Sequence, residues 1–198
     1  MSDEQISITI TPNADAIEAW SKATRGIIKP AEFNRALSRA INRTIAEVRT
    51  EAFKQATSQY TIKSKDISNT VRTTTASPTS LSAEARFTGG RIPLLKFIVK
   101  PAGGFSFKGM SRQGRPQLFV QIRKDGGGPA DGLFAAKLGE ATRIYSRSGK
   151  EKFPIKSATG PSIVSMVGNE EAVAAIQGRA DIALSKRLDH EMKRVLEK

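Results

Sequence analysis

Between Lys29-Pro30 and Thr57 the apolar residues fall three and four apart: Phe33, Leu37, Ile41, Ile45, Val48, Ala52 and Phe53. That interval lays them along one stripe of an α-helix. Pro30 suits the helix entrance, where its missing N–H is no loss. A helix this long, in a chain of 198 residues, is expected to be the spine on which the remaining elements pack. On another face Arg35, Arg39 and Arg43 recur every four residues. They form either a positive ridge toward phosphate or acidic side chains, or a solvated face on which Glu47 and Glu51 pair with nearby bases at helical spacing.

A second stripe lies near the C-terminus: Val173, Ile176, Ala180, Leu184, Leu188, Met192 and Val195. Asn169 is its expected cap, with Glu170 and Glu171 in the first turn and Lys193, Arg194 and Lys198 at the far end. This arrangement matches the helix dipole. Gly178 costs this helix about 1 kcal/mol relative to alanine and is expected to permit a close approach. Mixed charge on the polar face points to packing on protein, not on lipid.

The rest of the pattern alternates between short helices and strands. Gln5–Thr11 sets Ile6, Ile8 and Ile10 against Ser7, Thr9 and Thr11, a strand with one buried face. Asn13 or Asp15 caps a helix reaching about Gly26, with Trp20 as a core or interface anchor. Ser64 opens a short helix to about Thr73, followed by a loop over Ala76–Ser80. Strand patterns then recur: Leu81–Phe87 before a Gly89-Gly90 turn, Leu95–Lys100, and Gln117–Lys124. Asp125–Pro129 reads as a glycine-rich loop.

From Leu133 to Ser162 the sequence predicts a hairpin. Thr142–Arg147 has Ile144 on one side and Arg143 and Tyr145 on the other. Ser148-Gly149-Lys150 is turn chemistry, with Gly149 free to take positive φ. Phe153 and Ile155 resume alternation around Pro154, which places this strand at a sheet edge or bulge. Gly160-Pro161-Ser162 opens a helix that Gly168 stops. The expected fold class is α+β in one domain, 1–198. It has a mostly antiparallel, curled sheet, a sandwich or open barrel, packed by the long helix and the C-terminal helix.

The segments Phe134…Gly139, Arg147-Ser-Gly-Lys150, Phe153-Pro154-Ile155 and Gly160-Pro161-Ser162 resemble the minor tail protein Z (tail completion) family of long-tailed phages and prophages. Ala40-Ile41-Asn42-Arg43-Thr44 and Arg91-Ile92-Pro93-Leu94 fit the same family in the same order. The resemblance spans roughly Ala40 to Ser162. It implies a structural protein of the virion tail, at the tube's head-proximal end, working in tail completion, head–tail joining and DNA passage. It also implies partners: copies of the chain in a ring, with six-fold symmetry, and tail tube, tail terminator or neck proteins.

Composition agrees with a binding role and argues against chemistry. The net charge is +13 and the pI about 10.3. Residues 1–20 carry four acids and no base, whereas 21–160 carry 26 bases and nine acids. A basic body of this kind implies an anionic partner, nucleic acid or an acidic protein surface. The alternative function is a sequence-nonspecific DNA-binding protein acting through its backbone contacts. With no cysteine, disulfides and thiolate metal sites are excluded, and a reducing cytoplasm is the expected site of synthesis. No signal peptide or membrane span is expected. The one histidine, His190, lies between Asp189 and Glu191 without a nucleophile elbow; Asp125 and Asp131 lack calcium-loop spacing. No cofactor, metal or enzymatic activity is expected, and the Asn42-Arg43-Thr44 sequon is coincidental. Candidate subunit or partner contacts are Arg35, Arg39 and Arg43; Arg91, Ile92 and Pro93; and Phe105, Phe107, Arg112 and Arg115. The last four belong to a Gly-rich arm at 101–116 expected to be mobile, or to order on assembly.

Overall fold

In the computed structural model the long stripe forms one unbroken helix, α2 (Pro30–Gln59), which follows a shorter helix, α1 (Ala14–Ala23). The structure describes residues 5–25, 27–101, 117–138, 141–149, 151 and 153–197. Phe33, Leu37, Ile41, Ile45 and Val48 are buried, and so are the alanines at 36, 40, 52 and 56. Those small side chains let neighbours approach the helix backbone closely. Thr44, fully buried, satisfies its hydroxyl by donating to the Ala40 carbonyl at 3.0 Å.

The C-terminal stripe becomes α5 (Glu170–Leu196), capped by Asn169, whose side chain accepts from the Ala172 N–H. It runs antiparallel to α2. Arg39 near the start of α2 meets Glu191 near the end of α5, and Glu47 meets Arg187 and Arg179. Ala172, Ile176, Ala180, Ala183, Leu188 and Met192 form its buried side. Gly178, expected to permit close packing, is exposed, and a Cβ there would meet nothing within 4 Å. It lies on the solvent side of the stripe, between Ile176 and Ala180.

Nine strands fall among the described residues, in three small antiparallel sheets; none of the sheets closes into a barrel. The α+β class, with antiparallel sheet packed by the long and C-terminal helices, is as the sequence predicts. The division into separate sheets was not legible in it. The first sheet has the order β1 (Gln5–Ile10), β3 (Ala83–Thr88), β2 (Val71–Thr74). Its register sets Ile6 opposite Phe87, Ile8 opposite Ala85 and Ile10 opposite Ala83, which gathers the apolar side chains on the face toward α2. Its other face is polar. There the Ser7 hydroxyl and, after it, the Arg86 guanidinium hold the Glu84 carboxyl below the usual range.

Two short elements lock this sheet to the helices. The Asn42 side chain accepts from the Ala76 N–H at 2.7 Å and donates to the Ala76 carbonyl at 2.9 Å, fixing the loop before β3. Helix α4 (Ile163–Val167) begins at Ser162, whose hydroxyl and that of Ser165 form a reciprocal capping box. Four of its five residues are buried. Gly168 ends it where a Cβ would stand 2.5 Å from Ile6 Cδ1 and 2.7 Å from the Val164 carbonyl oxygen.

The second sheet is β4 (Ile98–Pro101), β5 (Leu118–Arg123), β6 (Gly126–Ala130), with β5 central. The third is β7 (Leu133–Leu138), β8 (Ala141–Arg147), β9 (Ile155–Ser157). Irregular backbone joins both to the body. Thr61 N–H donates to the Ile122 carbonyl and Lys124 N–H to that of Gln59. Leu94 N–H donates to Ala158, Ala158 N–H to Ile144, and Gly160 N–H to Ile92. At Gly160 a Cβ would lie 2.5 Å from the Phe97 ring, so glycine is required for that seam to close.

Several local expectations need correction. The helix opened at Ser64 is one turn, α3 (Ser64–Ile67), with Lys63 and not Ser64 at the cap position. A 3-10 turn follows, and then β2 takes the β-branched residues that were expected to finish a helix. Residues 126–130, expected as a loop, are strand β6. Gly127 packs so tightly that a Cβ would stand 2.8 Å from Gln121 Cβ. Pro129 sits there on an edge strand, where a missing N–H is harmless. Leu94–Lys96 is a 3-10 turn, so Leu95 is exposed and the alternation starts only at Ile98. Ile144 and Tyr145 are both buried, because the Phe134 ring covers Tyr145 on the second face of the sheet, 6.1 Å between centroids. Gly149 does not take positive φ; Gly89 and Gly132 do. Phe153 lies before β9 and is exposed, while β9 is an edge strand as Pro154 suggested.

Candidate interaction surface

The helix ridge divides on folding. Arg39 Nε lies 2.7 Å from Glu191 Oε2, and that carboxylate is buried, with Arg194 Nη1 3.9 Å from the same oxygen. Arg39 is therefore committed to joining α2 to α5. Arg35 and Arg43 are exposed and have no ion-pair partner among the described residues. Glu47, expected to pair along its own helix, instead takes Arg179 at 2.9 Å and Arg187 at 3.0 Å on α5. Glu51 does pair at helical spacing, with Lys54 at 3.6 Å.

The segment Arg91-Ile92-Pro93 is a seam. Ile92 is buried and its backbone bonds to Pro161 and Gly160, while Pro93 bridges to Thr159. Only Arg91 and Pro93 present themselves to solvent. Phe105, Phe107, Arg112 and Arg115 lie outside the described residues, as does the arm that holds them beyond Pro101, the last residue of β4.

A set of cations that the sequence did not bring together converges at the C-terminal end of α2. Tyr60 and Thr61 continue the row of β4 along β5, through a bridge from Tyr60 to Arg123. Arg123 lies over the Tyr60 ring, 5.6 Å from its centroid. Around this junction Lys63 and Lys124 line one open cleft, and Lys63, Lys65, Lys96 and Lys100 line another. These residues are up to 61 positions apart in the chain. Only strand pairing makes them neighbours, and no local spacing could have announced it.

His190 is exposed. Among the described residues no three of His, Cys, Asp and Glu converge as a metal site would require. Among them, too, no helix is long and apolar enough to cross a membrane. The surface offers charge and backbone edges, and these are means of docking.

A family model described as prophage minor tail protein Z (GPZ) matches residues 14–198. No curated protein and no solved structure matches the chain. The family match takes in both long helices, all three sheets except β1, and the seam at Gly160. The chain belongs to the prophage minor tail protein Z family, whose members are structural components of phage tails.

Proposed function

We propose that the protein completes the phage tail at its head-proximal end, as one subunit of a ring of like copies, six in number. There it prepares the tube for joining to the head and for DNA passage. The observation that carries this reading is the family match over 14–198. Two features of the fold support it. Each sheet has three strands in open order, so strand edges are available for pairing between subunits. A ring also needs two different complementary surfaces per subunit. The exposed pair Arg35 and Arg43 on α2 is proposed as one of them, with the exposed Arg91 as a separate contact. The Gly-rich stretch with Phe105, Phe107, Arg112 and Arg115 is the proposed second. Tail tube, terminator or neck proteins are the other partners.

The test is to delete residues 103–115. Pro101 pairs with Leu118 across β4 and β5, so the three residues left between them can close a hairpin. The shortened monomer is expected to fold with unchanged helicity and to fail in tail completion. Normal, infectious tails from the deletion would show that the stretch is a linker and that ring contacts lie elsewhere.

A further inference from the structure

The lysines at the end of α2 are not used by the fold. Lys63, Lys65, Lys100 and Lys124 are exposed, and none has an ion-pair partner among the described residues. They line two open clefts of about 750 and 440 Å³ that share Thr61, Lys63 and Ile98. The one carboxylate in either lining is Asp66, and Lys96 Nζ already holds it at 2.6 Å. The C-terminal end of α2 carries partial negative charge, but only about half an elementary charge, too little to offset four lysines. Of the remaining polar lining, the Thr61 hydroxyl is committed to the Gln121 carbonyl, while the Ser64 hydroxyl and the second amide hydrogen of Gln121 can donate. The two aromatic residues of the linings, Phe97 and Tyr60, are both buried and offer no face on which a base could stack.

We infer that this paired cleft binds the phosphate backbone of nucleic acid without reading its sequence. Hydroxyl, amide and lysine donors without base-edge readers are the equipment of phosphate contact. An acidic protein surface carries cations of its own, and the one carboxylate of the clefts, Asp66, is already paired with Lys96. The inference rests on the tail reading only for where DNA would meet the protein. The binding itself is a property of the isolated chain.

The test measures fluorescence anisotropy of a labelled duplex of about 30 base pairs against rising salt, where each phosphate contact adds to the slope. Three proteins are compared: the wild type, Lys63→Gln/Lys65→Gln/Lys100→Gln/Lys124→Gln, and a charge-matched control at exposed lysines outside both linings, Lys29→Gln/Lys137→Gln/Lys156→Gln/Lys193→Gln. The cleft variant is expected to bind about tenfold or more weakly. Its log–log salt slope should be shallower by about one per lysine, about four in all. The control should bind within about threefold of wild type. Lys63→Glu alone should move in the same direction by a smaller amount, and it serves if the quadruple variant does not fold. Equal losses in cleft and control variants would overturn the inference, since general charge would then explain binding. So would a wild type that does not bind. A cleft variant with full DNA affinity that fails to complete tails would also overturn it, assigning the cleft to an acidic protein while the tail reading stands. Conversely, wild-type protein that binds DNA through the cleft yet is dispensable for tails would uphold the cleft and remove the tail reading.

Discussion

Glu191 is the most committed carboxylate among the described residues: its side chain is 9% exposed, and its Oε2 faces both Arg39 and Arg194. The two partners of its shorter pair are not equivalent, because Arg39 remains 42% exposed and can be rehydrated. Removing the arginine strands the buried carboxylate, whereas removing the carboxylate strands a half-solvated cation. Arg39→Met should therefore cost about 2 kcal/mol and Glu191→Gln about 1 kcal/mol in urea unfolding. The reverse order would show that the pair is not a buried one. Asn42 poses a similar question in neutral form. Asn42→Ala leaves both backbone groups of the buried Ala76 unpaired and should cost about 2–3 kcal/mol. Glu84 gives a pH signature on the open face of the first sheet. Its carboxyl is held below the usual range, so its contribution is present above the unfolded carboxylate pKa and is lost as pH falls through the folded value. Glu84→Gln should flatten that acid limb of the stability profile, and added salt should weaken the effect in the wild type.

At the scale of elements, the glycines separate packing from propensity. Gly178 stands in open space on α5, so Gly178→Ala should raise stability by about 1 kcal/mol. Gly160→Ala drives a methyl into the Phe97 ring and should lower stability by about 1–3 kcal/mol. Thermal melts of the two variants should move in opposite directions. The long elements were legible in the sequence because their signals are local and repeated. The stripe from Phe33 to Phe53 and the one from Val173 to Val195 need no knowledge of a partner. So were β1, the cap at Asn169 and the helix start at Pro161-Ser162; the first helix was left to Asn13 or Asp15, and Asn13 caps it. Strand β6 was hidden because its glycines and proline carry no strand signal; its conformation is imposed by pairing with β5. Strand β2 was hidden for the related reason that Val71–Thr74 is too short to show a period, and β3 alone decides its conformation. The lysine clefts depend on the same long-range pairing. The arginine ridge, by contrast, was visible as a spacing, but the spacing could not say that Arg39 would turn toward α5.

For the whole molecule, the charge of +13 leaves many cations without an ion pair among the described residues. The ion pairs join α2 to α5, tie Lys96 to Asp66 and stitch local turns; Arg35, Arg43, Arg91 and the four cleft lysines at 63, 65, 100 and 124 have no ion-pair partner among the described residues. Association through those groups should weaken as salt rises, since exposed charges beyond about 10 Å are screened at 0.1 M. Subunit contacts through strand edges or aromatic side chains should survive. Sedimentation at low and high salt would then separate the two kinds of contact. The central claim, a ring subunit at one end of the tail tube, is tested most directly by electron microscopy of purified tubes mixed with the purified protein. Ring-shaped density capping a single end of each tube, absent without the protein, is the predicted image. Bare tube ends, with the protein free or spread along the tube wall, would contradict it.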